Sequence, residues 1–289
     1  MATITAKRER VATTSTGGGM LGKVLLYGVL ILLALFFVLP LLWILTTSLK
    51  PSDEWLSTSW IPQNPTLGNF SNVFNNDAVP MVRAFANSLG IATVFTVLTL
   101  ALDSMAAYAY ARLTFRGRDF LFALLVATLL MPGIMFLVPN YETVTRLHLL
   151  NNYWGVILPG LAGVFGVFFL RQFFQSIPKE LEEAALIDGA GTWTIFFRIA
   201  LPLARPALAT LGIITFLGSW NDFLWPLLIM NDPSKYTLPV ALATLQGGYV
   251  FEYGPLMAGA VITAVPVLIL YVFLQKFIVQ SVAMTGLKG

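Results

Sequence analysis

No cysteine occurs among the 289 residues of this chain, which excludes a disulfide framework and any thiolate-held metal site. Charge is almost as scarce. Asp, Glu, Lys and Arg make up 11% of the residues, where a soluble domain carries about a quarter. A water-facing surface on a chain of this length needs far more. The single histidine, His148, has no other ligand-forming side chain beside it, so no metal centre is expected there. Neither Gly-x-Ser-x-Gly nor His-Glu-x-x-His occurs, and no nucleophile–base pair is visible, so the chain is not expected to be an enzyme. Alternation of apolar and polar residues with period two is missing, which argues against a membrane β-barrel. No nucleic-acid partner is expected.

What the chain has instead is apolar length. Hydrophobic residues form 57% of it, and the mean hydropathy is +0.79. Spanning a bilayer takes about 20 apolar residues. Six stretches approach or reach that length: 24–46, 89–111, 120–138, 153–170, 207–230 and 256–274. Backbone groups in lipid must be satisfied internally, so each is expected to be a helix and the chain an all-α integral membrane protein with six transmembrane helices. The first run is too long for a cleaved leader and Trp43–Thr47 offers no small-residue cleavage site, so it reads as a retained helix behind a flexible tail, residues 1–21, with residues 22–289 forming the membrane domain.

Lys and Arg give the orientation. Only Lys50, Arg83, Arg146 and Lys235, of 17 basic residues, fall on one side of the six spans; the rest cluster on the other. Both termini and the connection between spans four and five are therefore expected to face the cytoplasm. One phosphate-loop look-alike, GGGMLGKV at 17–24, is rejected: Val24 stands where Ser or Thr should hold Mg²⁺, and no strand precedes it.

The connection at 176–202 is unusual for so oily a chain. SIPKELEEAALIDGAG places Glu180, Glu182 and Glu183 at the positive end of a short helix, with Ser176 or Ile177 as cap and Pro178 in the first turn. Gly189 and Gly191 should end that helix. Trp193 to Leu201 then forms a second apolar segment closed by Pro202. Such a bent arm can seat in a groove on a soluble partner; a plain interfacial connector is the alternative reading of the same residues.

Glu183, Ala184 and Ala185, then Gly189, then Ile199, Leu201 and Pro202 at the spacing E-A-A-x3-G-x9-I-x-L-P resemble the signature of ABC importer permeases. AAYAYARLTFRGR (106–118), MPGIMFLVPNYETVTRLHLLNNYWGVILP (131–159), SWNDFLWPLLIM (219–230) and LQKFIVQSVAMTGLKG (274–289) extend the resemblance, most closely to the smaller, six-helix permease of a carbohydrate-uptake pair of the maltose type. The resemblance implies a type I importer fold in which Glu183, Ala184, Ala185, Gly189, Ile199, Leu201 and Pro202 couple to an ATPase. It further implies a second permease, two cytoplasmic ATPase subunits that bind ATP and Mg²⁺, an extracytoplasmic binding protein, a sugar substrate and residence in a bacterial inner membrane. This chain itself would hold no cofactor. The external segments 49–83 and 231–254, the latter expected to flex at Gly247–Gly248, would meet the binding protein.

Acids inside apolar spans are costly, about 2.5–3.5 kcal/mol at a helix centre, and should face protein or a wet path. Asp222 is expected on the fifth helix with Trp220, Asn221 and Trp225, a mixture of amides, carboxyls and flat rings suited to sugars. Contacts to neighbouring helices would use the same groups. Asp103, in the second span, has no counterpart in the family pattern. It is open between substrate contact, pairing and burial as an acid. Pro132–Gly133, Pro159–Gly160 and Pro266 should interrupt their helices. A permease for another organic solute, such as glycerol phosphate, and an ion-coupled transporter using the two acids stay open as alternatives.

Overall fold

The computed structural model describes residues 20–286 except 56, 77, 162 and 246–251, without the side chains of 21, 270, 271 and 273–286. All regular structure among the described residues is helical. Helix α1, Met20–Ser48, is apolar on every side and keeps Pro40 in its interior. It packs along α14, Tyr253–Gly286, the helix that closes the chain. Helix α3, Met81–Arg112, is the central rod. Its buried residues recur every three or four positions: Ala84, Ser88, Ile91, Ala92, Thr96, Thr99, Asp103 and Ala107. Most are small, so two further helices, α7 (Val164–Ser176) and α11 (Arg205–Trp220), approach the rod closely along its length.

Three of the expected spans are broken rather than straight. The third ends its first half, α4 (Arg118–Ala127) plus a 3₁₀ turn to Leu130, before Pro132. A second 3₁₀ turn, Gly133–Phe136, then leads into α5 (Leu137–Arg146), and the two halves diverge by 98°. The cause is local: Pro132 has no N–H to donate and forces Met131 into an extended conformation, φ −84° and ψ 126°. The fourth runs as α6 (Tyr153–Ile157) and a turn through Pro159 to Gly160, and resumes as α7. The fifth, expected to be one helix through Asp222, stops at Trp220 and restarts as α12, Leu224–Ile229. Asn221 and Asp222 sit in the gap, not on a helix. Pro266, by contrast, breaks nothing and lies inside α14. By length and composition α1 and α3 can each cross a bilayer as single helices; the bent pairs pass only if each counts as one span, and the 253–269 stretch of α14 is shorter.

The 176–202 segment folds as α8 (Glu180–Ile187), a glycine turn, and a second helical run made of α9 (Thr192–Ile195), a π turn (Phe196–Ala200) and α10 (Leu201–Leu203). The cap expected at Ser176 or Ile177 is not used. Ser176 donates its hydroxyl back to the Phe173 carbonyl, Ile177 is extended, Pro178 lies outside the helix, and Lys179 occupies the cap position with no side-chain bond. After α10 the chain bends by 75° at Ala204 into α11.

The segments between spans are ordered by buried polar contacts. Lys50 is fully buried, donating to the Ser57 carbonyl at 3.1 Å and lying 4.7 Å from the centre of the Trp43 ring. Helix α2, Gly68–Phe74, is tied back by Asn69, whose amide donates to the Ser48 and Lys50 carbonyls. The 231–254 segment forms a 3₁₀ turn, Pro233–Lys235, and helix α13, Leu238–Thr244; the glycine pair expected to flex lies outside the described residues.

Candidate functional site

The bent arm is held by backbone and by one buried ion pair. Gly189 has φ +82°, a conformation costing other residues about 1–2 kcal/mol, and its N–H donates to the Leu186 carbonyl while Ala190 N–H reaches Ala185. This ends α8 and turns the chain. Glu182 pairs with Arg112, the last residue of α3, at 3.1 Å, with side chains 5% and 15% exposed. The pair is a charge contact, not an aligned hydrogen bond. Arg112 also donates to the Phe174 carbonyl at 2.7 Å and to the Ile177 carbonyl, so it grips the end of α7 and the start of the arm together. Glu183, expected to face an ATPase, is exposed, while its neighbour Glu182 carries the pair within the chain.

Behind the arm, Tyr108 of α3 touches Phe174 of α7 (centroids 5.7 Å, near-perpendicular) and Phe196 of the π turn (5.1 Å). Ala185, Ile199 and Leu201 pack on this cluster from the arm's inner side. The outer side is apolar and uncovered: Leu186, Ile187, Trp193 and Phe197 are all more than half exposed. Ala184 lies among them on the surface.

Further along α3 lies a cavity of about 520 Å³. All three helix breaks reach its wall, through Gly133, Pro159–Gly160 and Asp222. Asp103 and Trp225 line it as well, so three of the five residues read from the sequence as a substrate path meet here. Asp103 is 3% exposed and has no hydrogen-bond or ionic partner in the structure. It faces Gly166 so closely that a methyl group there would overlap its carboxyl group. Asp222 lies beside the N–H groups of Phe223 and Trp225, and Trp225 donates its indole N–H to the Gly155 carbonyl at 3.2 Å. Trp220 is elsewhere: it is 1% exposed, stacked on Phe216 and edge-on to Phe85. Asn221 is exposed and donates to the Leu217 carbonyl.

Sequence reasoning missed Thr99, Asn140, Thr215 and Ser219, which supply the remaining polar groups of the wall. Their signal was a hydroxyl or amide inside an apolar run. It also missed Asn151, at φ +54°, whose side chain accepts from Asn231 N and Asp232 N and whose carbonyl accepts from Lys235 Nζ. In the same turn Asp232 accepts from the hydroxyl and N–H of Ser234, which hold its carboxyl below the usual carboxylate range. Among the described residues no three His, Cys, Asp or Glu gather where a metal ion could sit.

Residues 104–284 match the profile of the binding-protein-dependent transport system inner membrane component family. The chain belongs to this family. The match contains the whole arm and Asp222, and begins one residue after Asp103. The chain is 39% identical over 261 residues to the arabinooligosaccharides transport system permease protein AraQ of Halalkalibacterium halodurans, covering 89% of this chain and 93% of that one. It is 36% identical over 262 residues to the diacetylchitobiose uptake system permease protein NgcG of Streptomyces coelicolor, covering 89% and 86%. Its fold superposes on a chain of a bacterial ABC transporter involved in import of the polysaccharide alginate with a TM-score of 0.81 at 23% identity, covering 89% of this chain and 96% of that one. The all-helical permease fold with its broken spans is thus that of a type I importer.

Proposed function

We propose that this chain is one permease subunit of an ATP-driven importer for a sugar or oligosaccharide. Six spans cross a bacterial inner membrane, with both termini and the arm inside. A second permease completes the pathway, two ATPase subunits bind ATP and Mg²⁺ inside, and an extracytoplasmic binding protein delivers the sugar. Permease relatives named for arabinooligosaccharide and diacetylchitobiose uptake, similar over nearly their whole length, support the sugar class.

The observation that carries the reading is a continuous mechanical route. The arm's exposed apolar face awaits a partner, its inner face is locked to α3 by Arg112–Glu182 and Tyr108–Phe196, and α3 itself lines the cavity through Asp103. Closure of an ATPase dimer on Ala184, Leu186 and Ile187 would move the arm as a unit, and α3, α7 and α11 with it. ATP and the binding protein drive the cycle by their different affinities for inward- and outward-open states. Asp222 and Trp225 offer a carboxyl and a ring to the passing sugar, while Trp220 and Asn221 shape the break from behind.

Two variants test the coupling. Glu183→Lys places a cation on the exposed docking side of α8. Gly189→Val forces a β-branched residue to φ +82°, at a cost of about 1–2 kcal/mol or more, with empty space around it so that only the turn is strained. Both variants should insert normally yet lose most uptake per ATP hydrolysed in proteoliposomes. Full coupling in both would remove the arm from the mechanism.

A further inference from the structure

The cavity has a chemistry of its own. Broken helices are tolerated at membrane depth where they are buried in protein or line a wet space, and discontinuous helices mark substrate sites in other transporters. Here three breaks converge on one wall. The carboxyl group of Asp103 opens onto that wall, and no donor of the chain is bonded to it. Gly166 leaves room for that carboxyl and nothing more. The wall also carries a second carboxyl, Asp222, an indole, Trp225, and the hydroxyls of Thr215 and Ser219. No Lys, Arg or His lines the space.

Building on the importer reading above, we infer that this cavity is a sugar subsite selective against negative charge. Asp103 accepts a hydrogen bond from a sugar hydroxyl, and the ring of the sugar lies against Trp225. A neutral sugar residue supplies the donors that Asp103 lacks. A sugar acid brings a carboxylate to a wall that, on this chain's side, offers two carboxyl groups and no cation, and an ionised carboxyl there repels it strongly across a desolvated contact. The selectivity therefore resides in this permease and not solely in the binding protein.

The test uses the complete transporter, both permeases, ATPases and binding protein, in proteoliposomes. The probes are labelled neutral pentose and hexose oligosaccharides, each paired with the acid made by oxidising its reducing end, and each pair is presented at equal occupancy of the binding protein. The wild type should import the neutral partner about tenfold faster. Asp103→Asn keeps the shape and an acceptor but removes the acid; it should lower neutral uptake by less than Asp103→Leu does and shrink the preference to near unity. Asp103→Leu should lose neutral uptake about tenfold while ATP hydrolysis stimulated by the loaded binding protein persists. An unchanged preference in Asp103→Asn, full uptake in Asp103→Leu, or joint loss of uptake and stimulated hydrolysis in Asp103→Leu would each overturn the subsite while leaving the importer standing. Import of no probe by the wild type, with ATP still hydrolysed, would instead bring down the sugar reading on which the subsite rests.

Discussion

Arg112 shows how much one side chain can hold. It sits at the end of a 32-residue helix, nearly buried, and its guanidinium serves one carboxylate and two backbone carbonyls. Truncation to alanine leaves Glu182 and the Ile177 carbonyl unpaired in a largely dry site, while the Phe174 carbonyl keeps only the Ile177 N–H, and removing one partner of a buried pair costs about 3–5 kcal/mol. Glu182→Gln is milder, because Arg112 keeps its carbonyls and gains an amide oxygen. Arg112→Ala should therefore lower the thermal unfolding midpoint of the detergent-solubilised transporter clearly more than Glu182→Gln, and should also depress uptake per ATP. The reverse order of the two variants would show that the carboxylate, not the carbonyl grip, holds the joint. The sequence could not have disclosed this role, since the carbonyls lie 62 and 65 residues away and a terminal arginine reads as topology alone. Asp103 is the opposite case. An acid in an apolar run advertises itself, yet only the fold reveals that it lacks a partner.

At the scale of elements, legibility followed how local the cause was. The arm was readable because its turn is built from its own residues: Gly189 at positive φ, and N–H groups returning to carbonyls a few positions back. The break at Pro132 was readable for the same reason. Pro40 and Pro266 look no different in sequence, yet each stays inside a helix, and the gap at Asn221–Asp222 carries no proline at all. How the elements join depends on contacts distant in sequence. Phe196 exemplifies that dependence: its ring joins the π turn of the arm to Tyr108 of α3. Removing a buried phenylalanine ring costs about 3–5 kcal/mol, and here the loss falls on the joint between the arm and α3. Phe196→Ala should still bind the ATPase subunits, whose proposed contact face is the other side of the arm, but transmit less. Co-purification of the ATPase at wild-type stoichiometry with uptake per ATP reduced severalfold is the expected result. Loss of ATPase binding would mean the ring supports the docking face itself.

For the whole molecule, the proposed mechanism depends on which way the chain faces. Because basic residues near span ends resist translocation, the 113–118 turn, the arm and both termini are expected inside, and the 49–83 and 231–254 segments outside. The absence of cysteine makes this unusually simple to check, since any thiol introduced is the only one in the chain. Thr58 and Arg116 are both exposed, lie in opposite classes of connection, and make no contact on which the fold depends. Thr58→Cys should react with a membrane-impermeant maleimide in cells whose inner membrane is sealed, and Arg116→Cys only after that membrane is opened. The sidedness of the mechanism follows from the same result. If Arg116→Cys labels from outside, the arm lies where no ATP is hydrolysed, and the route from Glu182 through Arg112 to the Asp103 cavity has no motor at its end.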